Sequence, residues 1–81
     1  MSQIEKLLKR LFSYPKDLTY DEVVKIFAHF GYTEIRSAEG SRVMFVKGDR
    51  RFRMYKPHPQ NTVKSYMVKE IAAFLKNKED L

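Results

Sequence analysis

Apolar residues recur along the chain at two different periods, and the change from one to the other outlines the fold. Ile4, Leu7, Leu8 and Leu11 stand at i, i+3, i+4 and i+7, with Lys6, Lys9 and Arg10 on the opposite side, which predicts a short amphipathic helix over residues 3–13. Pro15 ends it, because proline has no amide hydrogen to donate and clashes with the preceding turn. Thr19-Tyr20-Asp21-Glu22 reads as a capping box, in which the threonine hydroxyl accepts from the Glu22 amide and the Glu22 carboxylate reaches back. Tyr20, Val23, Val24, Phe27 and Phe30 form the apolar stripe of the helix that follows, and Gly31 suits the left-handed residue just past its end.

Beyond Gly31 the period becomes strand-like. Residues 32–37, 41–46 and 50–56 each read as a strand, separated by the turns Ala38-Glu39-Gly40 and Lys47-Gly48-Asp49. Connections this short suit antiparallel hairpins, since a parallel pair needs a crossover of a dozen or more residues. In the third strand Phe52 and Met54 face one way and Arg51, Arg53 and Tyr55 the other. In the first, Ile35 pointing inward would put Glu34 and Arg36 outward. The second strand offers two apolar sets, Val43/Phe45 and Met44/Val46; burying the first exposes Arg42 beside the other arginines. Pro57-His58-Pro59 interrupts regular structure, and Asn61 or Thr62 is expected to cap a last helix with Val63, Tyr66, Met67, Ile71, Phe74 and Leu75 as its apolar positions. Residues 77–81 are expected to fray. The expected architecture is a single α+β domain over residues 1–81, ordered α-α-β-β-β-α, with helices covering one face of a three-stranded antiparallel sheet and the other face wet.

Charge sharpens this picture. The chain has 16 Lys and Arg against 10 Asp and Glu, a net charge of +6. Eight basic and two acidic residues lie between Arg36 and Lys64, so this segment carries the whole excess. An arginine-rich segment interleaved with aromatics is the footprint of a nucleic-acid binder; the plainer alternative is a solvated face with incidental cations. Cysteine is absent, which excludes disulfides and thiolate metal sites. The longest apolar run, Ile71-Ala72-Ala73-Phe74-Leu75, is far short of the ~20 residues of a membrane span. With no recognisable leader, a cytoplasmic location is expected.

The chemistry-bearing residues are few. His29 and His58 are the only imidazoles and are far apart in sequence, so no metal site and no metal cofactor is expected, and neither a phosphate loop nor a serine triad can be read. His29 lies off the stripe of its helix and reads as a surface histidine. His58 sits between two prolines, after the basic strand and before a helix start near Lys64. That arrangement is either a phosphate-holding turn with an imidazole beside it or simply a rigid turn. The first helix reads as core cover, with partner docking and membrane attachment as alternatives.

The run 19–31, Gly40-Ser41 followed by Val43-Met44-Phe45, and Lys56-Pro57-His58-Pro59 with Asn61 before a final helix together resemble the HicA family. These are small toxins of bacterial HicA–HicB toxin–antitoxin pairs, known as mRNA interferases with a dsRBD-like fold. The resemblance spans residues 19–76 and leaves residues 1–18 as a helical N-terminal extension. It implies RNA, mRNA in particular, as ligand, a HicB-like antitoxin as partner, and endoribonuclease activity without a cofactor. Gly40 and Ser41 match the Gly-Ser that precedes the family's catalytic histidine, but Arg42 stands at the histidine's place. His58 and Pro59 match the His-Pro found before the last helix. The implied roles are therefore proton transfer for His58 and phosphate or transition-state contact for Arg42. RNA would bind through Arg42, Arg51, Arg53, Lys56 and Lys64, with Tyr55 as a stacking platform. The alternative is a protein on the same frame that binds RNA or its antitoxin without cutting.

Overall fold

The second helix is defined at both ends by local chemistry. In the computed structural model, which describes residues 3–57 and 60–81, the capping box forms: the Glu22 amide donates to Thr19 Oγ1 at 3.2 Å and the Thr19 amide to Glu22 Oε1 at 3.0 Å. At the other end Gly31 adopts φ +89°, its amide donates to the Ala28 carbonyl, and the Tyr32 amide donates back to Phe27, each at 3.0 Å. This is a Schellman closure, completed by the apolar contact of the Phe27 and Tyr32 rings at 5.2 Å.

The elements are α1 (Gln3–Phe12), α2 (Tyr20–His29), β1 (Thr33–Arg36), β2 (Arg42–Lys47), β3 (Arg50–Tyr55) and α3 (Ser65–Lys78). The strands form one antiparallel sheet in the order β1-β2-β3, giving the expected α+β arrangement, α-α-β-β-β-α, consistent with a dsRBD-like fold. Val43 and Phe45 face the helices, paired with Met54 and Phe52, which resolves the ambiguity of the second strand. Phe27 stacks on Phe45 with ring centroids 4.2 Å apart and lies 5.6 Å from Phe52, so one aromatic column ties α2 to the sheet. α3 adds Val68, Ile71, Ala72 and Leu75 to the same core.

Several expectations need correction. Ile35 does not point inward: it pairs with Met44 and is 47% exposed, while Glu34 pairs with buried Phe45 and turns toward α2. The cause is the Tyr20 hydroxyl, which donates to Glu34 and rewards the inward turn of a carboxylate. In α2, Ile26 is buried and Val24 only half-buried. Neither Asn61 nor Thr62 caps the last helix; Lys64 occupies the N-cap without a side-chain hydrogen bond. Residues 61–63 are engaged elsewhere: the Tyr20 amide donates to the Asn61 carbonyl at 2.9 Å, the Val63 amide to Leu18 at 2.7 Å, and Thr62 bridges Thr19. Nor does the helix fray at residue 77. α3 runs through Lys78, and the Glu79 carboxylate accepts from Lys47, Arg50 and Tyr32.

α1 rests against α2 and α3, and Leu11 and Leu18 are fully buried. Arg10 fastens this N-terminal segment, donating to Glu22 at 2.8 Å and to the Asp17 side chain at 3.0 Å. Arg10, with the Thr19 amide and hydroxyl, holds the Glu22 carboxyl below its usual range.

Candidate nucleic-acid interface

The face of the sheet turned away from the helices is built by the strand register. Arg42 pairs with Tyr55, Met44 with Arg53 and Val46 with Arg51, so the side chains alternating with the buried set share the open face. Arg42, Arg51, Arg53 and Tyr55 are exposed there. Lys47 and Arg50 lie on the other side and bind Glu79 at 2.9 and 2.6 Å. Two of the eight cations in the basic segment thus share one carboxylate at the far end of the sheet. Among the described residues no carboxylate pairs with Arg51, Arg53, Lys56 or Lys64.

Gly40 at φ +80° closes the turn into β2, the Ser37 amide donates to the Arg42 carbonyl at 2.9 Å, and the Lys56 amide to the Ser41 carbonyl at 2.8 Å. Arg42 therefore starts β2 on a fixed backbone while its guanidinium stays in solvent, 4.0 Å from Glu39 and held only by that exposed contact.

Two open clefts lie around Arg42 and its strand partner Tyr55. One, of about 610 Å³, is lined by Arg36, Arg42, Arg53, Tyr55, Tyr66 and Met67. The second, of about 660 Å³, is lined by Lys16, Tyr55, Lys56, Lys64, Tyr66 and Met67 among others. Tyr55, Tyr66 and Met67 belong to both and form the ridge between them; Tyr55 is 69% and Tyr66 60% exposed. Lys56, which lines the second cleft, has its Nζ 5.6 Å from the centre of the Tyr20 ring. The Tyr20 hydroxyl donates to Glu34, which also accepts from Arg36 Nε at 3.3 Å. Burial, then Glu34, pushes the Tyr20 phenol well above its ordinary range, so it remains a donor.

The structure thus gathers Arg42, Arg53, Tyr55, Lys56 and Lys64 around one ridge. Arg51 shares the open face but lines neither cleft. His58 and Pro59 lie outside the described residues, while their sequence neighbours Pro57 and Gln60 both line the second cleft. His29 is exposed on α2, as its position off the stripe implies. Sequence reasoning missed Tyr66, placing it in the core. The signal was available: Val68, Ile71, Ala72 and Leu75 stand at i, i+3, i+4 and i+7, and a residue two before Val68 points to the opposite side of a 3.6-residue turn. Lys16 and Arg36 were likewise outside the expected site, because neither lies on the open face of β2 or β3. Among the described residues no group of three or more His, Cys, Asp or Glu is placed to hold a metal ion, and no helix is long and apolar enough to cross a membrane.

Against this geometry, the family model described as the HicA toxin of bacterial toxin–antitoxin systems matches residues 20–77. The chain belongs to the HicA toxin family. Comparison with curated proteins and with solved structures yields no match in either. The HicA match begins at Tyr20, the first residue of α2, so α1 and the segment after it precede the family region while supplying Leu11 and Leu18 to its core. Every residue lining the two clefts except Lys16 falls inside the match. Membership in a toxin–antitoxin family implies an antitoxin partner for this HicA chain.

Proposed function

We propose that this HicA toxin binds mRNA across the ridge between the two clefts and cuts it without a metal ion, acting in the cytoplasm. The observation that carries the reading is the convergence of Arg42, Arg53, Lys56 and Lys64, none of them held by a buried carboxylate, around exposed aromatic rings. Cations hold the phosphates, and rings can meet unpaired bases. Arg51 extends the positive face beyond the clefts.

In the proposed reaction His58 takes the proton from a ribose 2′-hydroxyl. The oxygen attacks the neighbouring phosphorus, the bond to the 5′-oxygen breaks, and that oxygen takes a proton from solvent water, giving a cyclic 2′,3′-phosphate end. Histidine suits the proton transfer because it titrates near neutral pH. Arg42 stays protonated, so its role is to hold the scissile phosphate and offset the charge that builds on its oxygens. Support for His58 comes from the family His-Pro pattern and from the cleft positions of Pro57 and Gln60.

A second reading is favoured by Arg42 itself. With arginine at the place of the family's catalytic histidine, the same surface would bind RNA or the antitoxin without cutting. The partner we infer is a HicB-like antitoxin from the adjacent reading frame, which silences the basic surface by covering it. Induced expression of the chain in bacteria tests the proposal. Growth should stop with mRNA shortened, and co-expression of the adjacent frame's product should restore both. Arrest with full-length mRNA supports the non-cutting reading; no arrest and no effect of the neighbour contradicts both.

A further inference from the structure

We infer that the substrate is single-stranded RNA and that Tyr66 and Tyr55 each receive an unpaired base, which makes Tyr66 a specificity-determining residue. This rests on the RNA reading above and goes further by naming the strandedness and the residues that select it.

The chain has five tyrosines, and three have side-chain partners within the fold. Tyr20 and Tyr32 are buried, donate to Glu34 and Glu79, and contact other rings. Tyr14 is exposed but has a cation over its ring, with Lys69 Nζ 6.0 Å from the ring centre. Tyr55 and Tyr66 have no hydrogen bond, ring contact or cation among the described residues, yet both form the ridge between the clefts. Neither belongs to the core, so folding does not require an aromatic at either position.

What surrounds the rings matches one ligand. Arg42 and Arg53 line the cleft on one side, Lys56 and Lys64 the other, and Met67 lies between as an apolar surface. A polyanion with flat, apolar side groups fits this alternation of cation, ring and cation. In an A-form duplex the base faces are stacked on one another and unavailable. In a single strand they can turn out onto aromatic rings, while the backbone follows the cations. The two tyrosines therefore favour single strands over duplexes.

The test uses a short labelled RNA, 2′-O-methylated so that its own hydroxyl cannot attack, as a single strand and as a duplex. Binding is read by anisotropy for wild type, Tyr66→Ala, Tyr66→Phe, Tyr55→Ala and, as an exposed control, Tyr14→Ala. We expect about 5- to 150-fold weaker single-strand binding for Tyr66→Ala and Tyr55→Ala, retention for Tyr66→Phe and Tyr14→Ala, and weaker duplex binding that ignores both alanine changes. If wild type binds with strong salt dependence but Tyr66→Ala binds equally well, the stacking inference fails and the RNA reading stands. If wild type binds neither form, both fail. If Tyr66→Ala leaves RNA binding intact but weakens the complex with the antitoxin, Tyr66 serves protein docking and the inference is overturned.

Discussion

Arg50 Nη1 donates to Glu79 Oε2 at 2.6 Å and fastens the first residue of β3 to the residue that closes α3. Lys47 and Tyr32 donate to the same carboxylate, whose side chain is only 9% exposed. One acidic residue thus joins both ends of the β2–β3 hairpin turn to the C-terminal helix, and it draws two cations away from the open face.

A pH dependence follows. Lys47 first, then Tyr32 and Arg50, hold the Glu79 carboxyl below its ordinary value of 4.5. A carboxyl depressed by folding contributes stability that is fully present above the unfolded value and lost as the pH falls through the lower folded one. Glu79→Gln should therefore be less stable than wild type at neutral pH, with the gap closing in acid below 4.5. Urea unfolding across that range measures it; a gap that stays constant into strong acid contradicts the assignment.

The segment ahead of the family region should be indispensable to the fold. Leu11 and Leu18 have no exposed surface, so Leu11→Ala should cost ~2–5 kcal/mol through lost burial and the cavity left behind. Equilibrium denaturation reads this directly. A loss below ~1 kcal/mol would mean that α1 only rests on a core complete without it.

RNA affinity should separate the basic residues by location. Arg53→Ala removes a cation lining a cleft, and should lower the slope of log K against log salt by about 0.7 for a single strand. Arg50→Ala removes an equal charge already bound to Glu79, and should leave the slope nearly unchanged. Titrations at several salt concentrations distinguish them. Equal effects from both would mean that net charge, and not the cleft, attracts the RNA.

What the sequence made legible was local. α2 could be read from Thr19, Glu22 and Gly31 because both of its caps are written within one turn of its ends. The wet face of β3 was readable because Phe52 and Met54 alternate with Arg51, Arg53 and Tyr55 without ambiguity. β1 misled because it is only four residues long, and its orientation depends on Tyr20, fourteen positions from Glu34, offering a hydroxyl. Thr62 looked like a cap because its chemistry suits one, but pairing of its segment with residues 18–20 claimed that backbone first. Tyr66 was misassigned because Val63, Tyr66, Met67 and Phe74 offer a competing helical stripe beside Val68, Ile71, Ala72 and Leu75, the set that is buried.

Incubation of purified protein with a long RNA in EDTA tests cleavage through His58 most directly. Wild type should shorten the RNA and leave cyclic 2′,3′-phosphate ends. His58→Ala should bind with unchanged affinity and cut about 10²–10⁴-fold more slowly. Cleavage by His58→Ala at the wild-type rate would contradict the role given to His58. Intact RNA with wild type, but cut RNA with Arg42→His, would make this chain a binder on a nuclease frame.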